Sequence, residues 1–241
     1  MGKTNPTLDA APAGTKLDAD QLATYHEQGY VVADAVFPGE EVAAINGEID
    51  RLQAEKPDAF LESGLYQLGL RSPVTDSICR NERILTLIED IVSPGIAVYS
   101  AKMVHKPPHS DLVCHWHQDN AYYNQHAESR CRMSIWLSLQ DTTEHNGCLW
   151  IVPGSHRGGT LPAEKRGNGH CDLAFEDGRK PLPDAIPCPL GAGDVLLFHA
   201  DLWHRSLGNH SDKPRRSFIV SYQEASAARG NGAQHKILRP S

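Results

Sequence analysis

The feature that most constrains the fold is the pattern of the second half of the chain, from Ile96 onward. Short apolar runs recur there, and turn residues separate them, as at 144–147 (Glu-His-Asn-Gly) and 153–155 (Pro-Gly-Ser). Apolar runs of about four to eight residues bounded by such turns are typical of β-strands. The pattern predicts strands at 97–104, 114–122, 133–139, 149–152, 195–198 and 217–222.

The first part of the chain has helical periodicity instead. Asp18 or Asp20 can cap a helix that runs to about Gln28. Pro38 begins a second helix with apolar residues at 42, 45, 49 and 52, and a third helix is predicted at 81–91. Helices followed by many short strands predict a mainly β fold, with a double-stranded β-helix (jelly-roll, cupin-like) core and N-terminal supporting helices.

A chain of 241 residues is long enough for one large domain. We predict a disordered tail at 1–16, which is rich in Ala, Pro, Gly and Thr, and a single domain at 17–224. Helical support would occupy 17–95 and the jelly-roll core 96–224, with an insertion at about 157–190 that is rich in Gly, Pro and charge. Residues 225–241 would form a C-terminal tail.

Charge and hydropathy exclude several classes of protein. The net charge of −7, with 23 basic and 30 acidic residues, argues against a nucleic-acid binder. No apolar run approaches the roughly 20 residues that span a bilayer, and the N-terminus lacks the apolar segment of a signal peptide. We therefore expect a cytoplasmic protein with no membrane partner. Its six cysteines contain no Cys-x-x-Cys pair and are expected to be reduced thiols. The oligomeric state is not indicated.

The candidate metal ligands lie around His117-Gln118-Asp119. The tripeptide pattern His-x-Asp alone is weak, because it also begins at residues 109, 170, 199 and 210. Only His117 lies in a stretch that can continue as a strand. Alternation in a strand would place His115, His117 and Asp119 on one face, with Trp116 and Gln118 on the other.

A third ligand and an anion-binding group lie downstream. His204 offers a second imidazole, with His199 as its main rival, and two imidazoles with one carboxylate can hold a divalent iron on one face. Arg215 is a candidate for pairing bidentately with a carboxylate. Arg216 competes for that role, and alternation allows only one of the two to point inward. Together these parts suggest an oxygenase that uses Fe(II) and 2-oxoglutarate.

Several segments, in order, resemble the phytanoyl-CoA dioxygenase family of Fe(II)/2-oxoglutarate oxygenases. They are the stretch from Leu17 to Val32, Lys106-Pro107-Pro108, Trp116-His117-Gln118-Asp119, the stretch from Asn146 to His156, and the stretch from Gly193 to Asn209 with Arg215 eleven residues after His204. The resemblance covers roughly residues 17 to 224. It implies a dioxygenase with Fe(II), 2-oxoglutarate and O2 that hydroxylates a C–H bond of a small metabolite or natural-product intermediate and releases succinate and CO2.

The resemblance also implies roles for individual residues. His117, Asp119 and His204 would be the iron ligands, and Arg215 would pair with the distal carboxylate of 2-oxoglutarate. Further residues at the site would be Ser206 and Trp150 beside the cosubstrate, Lys102 against cosubstrate or substrate, and Tyr122, Tyr123 and Arg205 near the substrate. Arg205 departs from the glycine that the family usually has there. Asp119 favours hydroxylation over halogenation, because related halogenases have a small residue in its place.

Two other functions remain open at this point. A jelly-roll protein that binds metal or ligand without catalysis is one, although such a decayed enzyme would be expected to have lost at least one of the four site residues. A hydrolytic zinc enzyme with the same triad is the other, and it would leave Arg215 without a role. For His117 with Asp119, for His204 and for Arg215, the ordinary alternatives are a hydrogen-bonded pair, a loop histidine and a solvated basic cluster. For Trp150, Ser206 and Tyr122, the ordinary alternative is a role in packing or in turn formation.

Overall fold

The computed structural model describes residues 16–55, 65–66, 72–123, 129–165, 173–175, 184–228 and 236–241. Its helices are α1 (Ala19–Gln28), α2 (Gly39–Glu55), α3 (Pro73–Cys79), α4 (Glu82–Ile88) and the short α5 (Asp119–Tyr123), with 3-10 turns at Ser155–Gly158 and Ala225–Ala228. Its strands are β1 (Tyr30–Ala33), β2 (Leu65–Tyr66), β3 (Ile96–Lys106), β4 (Cys114–His117), β5 (Met133–Ser138), β6 (Leu149–Ile151), β7 (Ala163–Lys165), β8 (Leu173–Phe175), β9 (Ile186–Cys188), β10 (Val195–His199), β11 (His204–Ser206), β12 (Arg215–Gln223) and β13 (Lys236–Arg239).

Two antiparallel sheets form the core. The major sheet has the order β1-β10-β5-β12-β3-β13, with β2 also paired to β3, and the minor sheet has the order β4-β11-β6-β9. A separate hairpin joins β7 to β8. The order crosses repeatedly between distant parts of the chain, as a jelly roll does. The predicted fold class is therefore confirmed: a mainly β, jelly-roll core with helices at its N-terminal side.

Alternation along the major strands creates two apolar layers. On β5, Ile135 and Leu137 belong to the cluster that also includes the buried faces of α1, α2 and α4. Trp136, between them, belongs to a second cluster with Leu149 and Ile151 of the minor sheet. The helices thus cover one face of the major sheet, and the minor sheet covers the other. The space between the two sheets is where the functional residues meet.

Local sequence explains how α1 begins and ends and how the chain then passes into β1. Asp18 caps α1: its carboxylate accepts the backbone N–H of Gln21 at 2.8 Å, and the Gln21 side chain accepts the Asp18 N–H at 3.0 Å. Gly29 ends the helix in the left-handed region at φ 83°, where glycine carries no steric penalty. The chain then enters β1 directly, and β1 pairs with β10 at the edge of the major sheet.

The structure departs from the sequence-based prediction in three regions. The predicted strand at 114–122 ends at His117, and α5 begins two residues later. Within the predicted insertion at about 157–190, β9 pairs with β6 and belongs to the minor sheet. Within the predicted C-terminal tail, β13 pairs with β3. All three depend on contacts with distant strands, which local periodicity does not encode. The predicted disordered tail lies outside the described residues, except for Lys16.

Among the described residues, no helix has the length and apolar character needed to cross a bilayer. Cysteines 79, 131, 148 and 188 are free thiols, as expected. Cys114 is disulfide-bonded, contrary to the expectation of reduced cysteines, and its partner lies outside the described residues.

Core packing beneath the helices should dominate stability. Leu197 in β10 is fully buried in the helix-side layer. We expect Leu197→Ala to lower the free energy of unfolding by about 2–5 kcal/mol, because it removes buried methyl groups and leaves a cavity. Ile237→Ala is the control, since Ile237 is 47% exposed and should change stability by less than about 0.5 kcal/mol. Urea unfolding measures both, and equal effects would contradict this view of the core.

Candidate metal centre and cosubstrate cavity

The pairing of β4 with β11 brings two imidazoles together. His117 and His204 are direct cross-strand partners, and their ring centroids lie 4.1 Å apart. Both side chains point into the space between the sheets and are almost completely buried. Residues 87 positions apart in the chain thus become neighbours through a single strand pair.

An irregularity in β4 alters the predicted alternation. Ser206 pairs with Cys114 and His204 pairs with His117, so β4 has one more residue than β11 between these pairs. Such a bulge bends the strand and changes which side chains share a face. Cys114 and His117 consequently both line the cavity, although three positions separate them. The side chain of His115, predicted to face the ligands, is exposed instead.

The third ligand comes from a helix rather than from the strand. Asp119 is the first residue of α5, and its Oδ1 lies 4.0 Å from His117 Nε2 and 3.9 Å from His204 Nε2. Gln118 anchors this change of direction. Its amide donates to the carbonyls of Gly159 at 2.8 Å and Asp201 at 2.7 Å, and its oxygen accepts the N–H of Leu161 at 2.7 Å.

Backbone carbonyls orient both imidazoles. His117 Nδ1 lies 2.8 Å from the carbonyl of His115, and His204 Nδ1 lies 2.9 Å from the carbonyl of Leu202. A carbonyl only accepts, so each Nδ1 must carry the proton and donate it. Each Nε2 therefore presents a lone pair toward the position that Oδ1 of Asp119 also faces. This is the usual arrangement that orients histidine ligands in metal sites.

The protonation states suit a divalent cation. Burial lowers the pKa of His117 to about 3 and also lowers the pKa of His204, so both rings are neutral at pH 7. Burial opposes ionisation of Asp119, but the positive charge of nearby Lys102 and the hydrogen bond from Ser134 help to hold the pKa of this carboxyl below its ordinary value. The ligands thus have the forms that metal binding needs.

The three ligand atoms lie within 4.8 Å of one another, and among the described residues no other group of His, Cys, Asp or Glu meets that condition. Two imidazole nitrogens and one carboxylate oxygen on one face leave the opposite face open. That donor set and geometry fit a non-heme Fe(II) centre.

A cavity extends from the triad between the two sheets. Its walls are mainly apolar, from Val104, Trp136, Leu149, Phe198 and Ile219. Its polar groups besides the ligands include Lys102, Ser206 and Arg215. An apolar cavity with a few convergent polar groups is typical of a small-molecule site.

Arg215 supplies a buried positive charge at this cavity. Its side chain is only 1% exposed; Nη1 donates to Ser217 Oγ at 2.9 Å, and its guanidinium carbon lies 5.5 Å from the ring centroid of Trp136. Its Nε has no partner, and no carboxylate in the described part of the chain pairs with it. Burial lowers its pKa to about 10, so it remains charged at pH 7.

Arg216 points the other way. Its guanidinium pairs with Asp50 of α2 at 2.6 Å, on the helix side of the major sheet. Alternation along β12 thus leaves Arg215 as the inward arginine of the two. The predicted Ser206 also lines the cavity, and Lys102 lies there with its Nζ 4.0 Å from Asp119 Oδ1.

Other predicted site residues lie elsewhere. Trp150 and Arg205 are not among the cavity-lining residues, because they alternate with residues of β6 and β11 that face inward. Arg205 instead stacks over Trp116 and Trp150, with its guanidinium carbon 4.9 Å and 5.5 Å from their ring centroids. Their placement departs from the prediction that Trp150 borders the cosubstrate and that Arg205 lies near the substrate.

One of the two predicted substrate tyrosines lies at the metal site. Tyr122 contacts His117 edge to face, with ring centroids 5.7 Å apart, and is partly exposed at the metal site. The side chain of Tyr123 lies outside the described residues.

Two further residues at the site were not singled out from the sequence. Trp136 forms its wall beside Arg215, and Ser134 contacts Asp119. Both lie on the same face of β5, two residues apart. The available signal was the alternation of Ser134, Trp136 and Ser138 with Met133, Ile135 and Leu137, but it could not show which face of β5 meets the metal strands.

Known proteins share this fold and this sequence pattern. The structure resembles that of EctD from S. alaskensis with 2-oxoglutarate and 5-hydroxyectoine, at a TM-score of 0.71 and 21% identity over 92% of this chain and 82% of that one. It also resembles the epimerase SnoN in complex with Fe3+, alpha-ketoglutarate and nogalamycin RO, at a TM-score of 0.71 and 25% identity over 89% of this chain and 86% of that one. The chain thus shares its fold with two proteins whose structures contain 2-oxoglutarate.

The sequence identifies the family. Residues 25–217 match the phytanoyl-CoA dioxygenase (PhyH) family, and the chain belongs to it. An ectoine dioxygenase of Bordetella parapertussis is 25% identical over 86% of this chain and 75% of its own length. A probable alpha-ketoglutarate-dependent hypophosphite dioxygenase of Stutzerimonas stutzeri is 27% identical over 87% and 79%.

The triad should account for metal binding. We expect His204→Ala to abolish tight Fe(II) binding in an anaerobic titration, because two remaining ligands form no facial triad. His199→Ala is the matched control, since His199 lies five residues away, contacts His156 at 5.1 Å between centroids and does not line the cavity. Loss of binding in the His199 variant alone would make His199 the ligand and contradict the site.

Proposed function

We propose that the chain is an Fe(II)/2-oxoglutarate-dependent dioxygenase that hydroxylates a C–H bond of a small metabolite or natural-product intermediate. Succinate and CO2 are the coproducts. The observation that carries the proposal is the buried guanidinium of Arg215, which no carboxylate of the described residues pairs with, in the same cavity as the His117–Asp119–His204 triad. Membership of the phytanoyl-CoA dioxygenase family supports it.

Arg215 is suited to the distal carboxylate of 2-oxoglutarate. A guanidinium that is fully desolvated and lacks an anionic partner is costly, so the cavity favours an anionic ligand that completes it. The planar guanidinium can pair bidentately with a carboxylate, while Ser217 and Trp136 hold its orientation. Ser206 adds a hydroxyl on the same cavity wall.

The triad determines where the oxidation takes place. His117, Asp119 and His204 would hold the iron, which would supply the activation of O2 when bound, and the apolar walls of the cavity would exclude water from it. Asp119 occupies the position of the protein carboxylate, which favours hydroxylation over halogenation. Lys102 lies beside that carboxylate, where it can contact a carboxylate of the cosubstrate or an anionic substrate.

The substrate that we propose is a class of compound, a small molecule. Relatives are named for ectoine and hypophosphite, both small molecules, and this supports a small-molecule substrate here. Tyr122, edge-on to His117 and partly exposed, is the described residue best placed to contact it. We also propose a cytoplasmic location for the protein.

Arg215 argues against one of the two other functions, and the intact triad argues against the other. A hydrolytic zinc enzyme has no use for a buried arginine beside its open face. A protein that binds ligand without catalysis would keep the arginine but would not need three intact metal ligands, and the structure brings all three together.

The arginine pair provides a sharp test of cosubstrate binding. We expect Arg215→Met to raise the dissociation constant for 2-oxoglutarate by at least about 30-fold, because it removes a buried charge pair of about 2–5 kcal/mol. Arg216→Met is the neighbouring control. It should leave the dissociation constant for 2-oxoglutarate near the wild-type value, since Arg216 pairs with Asp50 on the far side of β12. Anaerobic titration with Fe(II) present measures both, and equal weakening would contradict the assignment.

Turnover tests the activity itself. Wild-type protein with Fe(II), 2-oxoglutarate and air should form succinate, and His117→Ala should not, because the metal is lost. His199→Ala should retain the activity. Turnover without substrate can be slow, so binding of Fe(II) and 2-oxoglutarate under nitrogen is measured alongside. A wild type that binds neither ligand would overturn the proposal in favour of a different function.

A further inference from the structure

The two oxygens of Asp119 have different surroundings. Oδ1 faces the Nε2 atoms of His117 and His204 and lies 4.0 Å from Lys102 Nζ. Oδ2 accepts a hydrogen bond from Ser134 Oγ at 2.5 Å. Both partners of that bond are buried, with Ser134 at 0% and Asp119 at 1% exposure. One oxygen is thus directed to the metal position, and the other is held by a hydroxyl of β5.

The direction of the hydrogen bonds follows from their chemistry. An ionised carboxylate only accepts, so Ser134 must donate its single hydroxyl proton to Asp119. Ser134 Oγ also lies 2.9 Å from Ser221 Oγ, and Ser221 must therefore be the donor in that contact. Ser221 and Ser134 are cross-strand partners of β12 and β5. A short chain of hydroxyls thus runs from the middle of the major sheet to the carboxylate.

We propose that Ser134 is a positioning residue that holds Asp119 with Oδ1 alone facing the metal, and that Ser221 fixes the orientation of the Ser134 hydroxyl. This inference rests on the metal centre of the proposed function. It assigns the third ligand a support from the major sheet, whereas the supports of the two imidazoles are carbonyls of the segments that bear them, His115 and Leu202.

The physical reason is competition between the two carboxylate oxygens. A carboxylate with two free oxygens can turn about its Cβ–Cγ bond and bind a metal through both. A second oxygen would then occupy part of the open face that the cosubstrate and O2 need. The bond from Ser134 engages Oδ2, opposes that rotation and keeps Oδ1 preorganised for the metal; without it the carboxylate must be ordered when the metal binds, which lowers the affinity. Hydrogen bonds of this kind typically contribute about 10- to 100-fold to metal affinity or activity.

The first experiment is an anaerobic Fe(II) titration of the full-length protein and Ser134→Ala. We expect the alanine variant to bind Fe(II) about 10- to 100-fold more weakly. Ser138→Ala is the matched control, because Ser138 is a fully buried serine on the same face of β5 whose hydroxyl donates to the Gln140 carbonyl at 2.6 Å. It should bind Fe(II) as tightly as the wild type. Thermal unfolding of the metal-free proteins reports separately on folding.

A second pair of variants separates the hydroxyl from simple packing. Ser134→Thr and Ser134→Val have nearly the same shape, and both β-branched residues suit a strand, but only threonine retains the hydroxyl. We expect threonine to keep most of the wild-type affinity and valine to lose it. The Co(II)-loaded proteins give a further readout, since the visible absorption of Co(II) responds to its coordination geometry and should change in Ser134→Val only.

The outcomes are distinct. Weak binding in Ser134→Ala and Ser134→Val, with near-normal binding in Ser134→Thr and Ser138→Ala, supports the inference. A Ser134→Ala protein that binds Fe(II) like the wild type overturns it, and so do equal affinities for the threonine and valine variants. A wild type that fails to bind Fe(II) would instead refute the proposed function, and the inference with it.

Discussion

The antiparallel pairing of β4 with β11 is the interaction on which the site depends. It sets two imidazoles side by side from segments far apart in the chain, and the bulge in β4 lets Cys114 and His117 face the same cavity. Asp119 can join them only because the strand stops at His117 and the chain turns into α5. Strand register, bulge and helix start thus act together to make one metal centre.

The two sheets contribute different functional groups to the cavity. The minor sheet supplies the imidazoles and Ser206, whereas the major sheet supplies Arg215, Trp136 and the hydroxyl that contacts Asp119. A ligand between the sheets would therefore meet the positive charge of Arg215 on one wall and the two candidate metal-binding imidazoles on the other. The mainly apolar lining keeps the local dielectric low, so each of the few polar groups has a strong effect.

Sequence reasoning predicted the parts of the site that depend on residue type and local spacing. The motif at His117 and the histidine at 204 could be recognised in order, and alternation alone required that Arg215 and Arg216 face opposite sides of β12. The same alternation misplaced Asp119 in a strand, because a bulge and a helix start leave no periodic trace. The placement of Trp136 at the cavity wall could not be predicted for a related reason: the face of each strand that turns inward is decided by pairing with distant strands.

Gln118, between two metal ligands, has a consequence for how rigidly the metal site is held. Its amide joins the metal segment to the carbonyls of Gly159 and Asp201 and to the N–H of Leu161. β7 begins two residues after Leu161, and its hairpin partner β8 contacts β4, so these bonds brace the metal segment at the point where the chain departs toward that hairpin. One glutamine thus fastens the turn between His117 and Asp119 to two other segments of the chain at once.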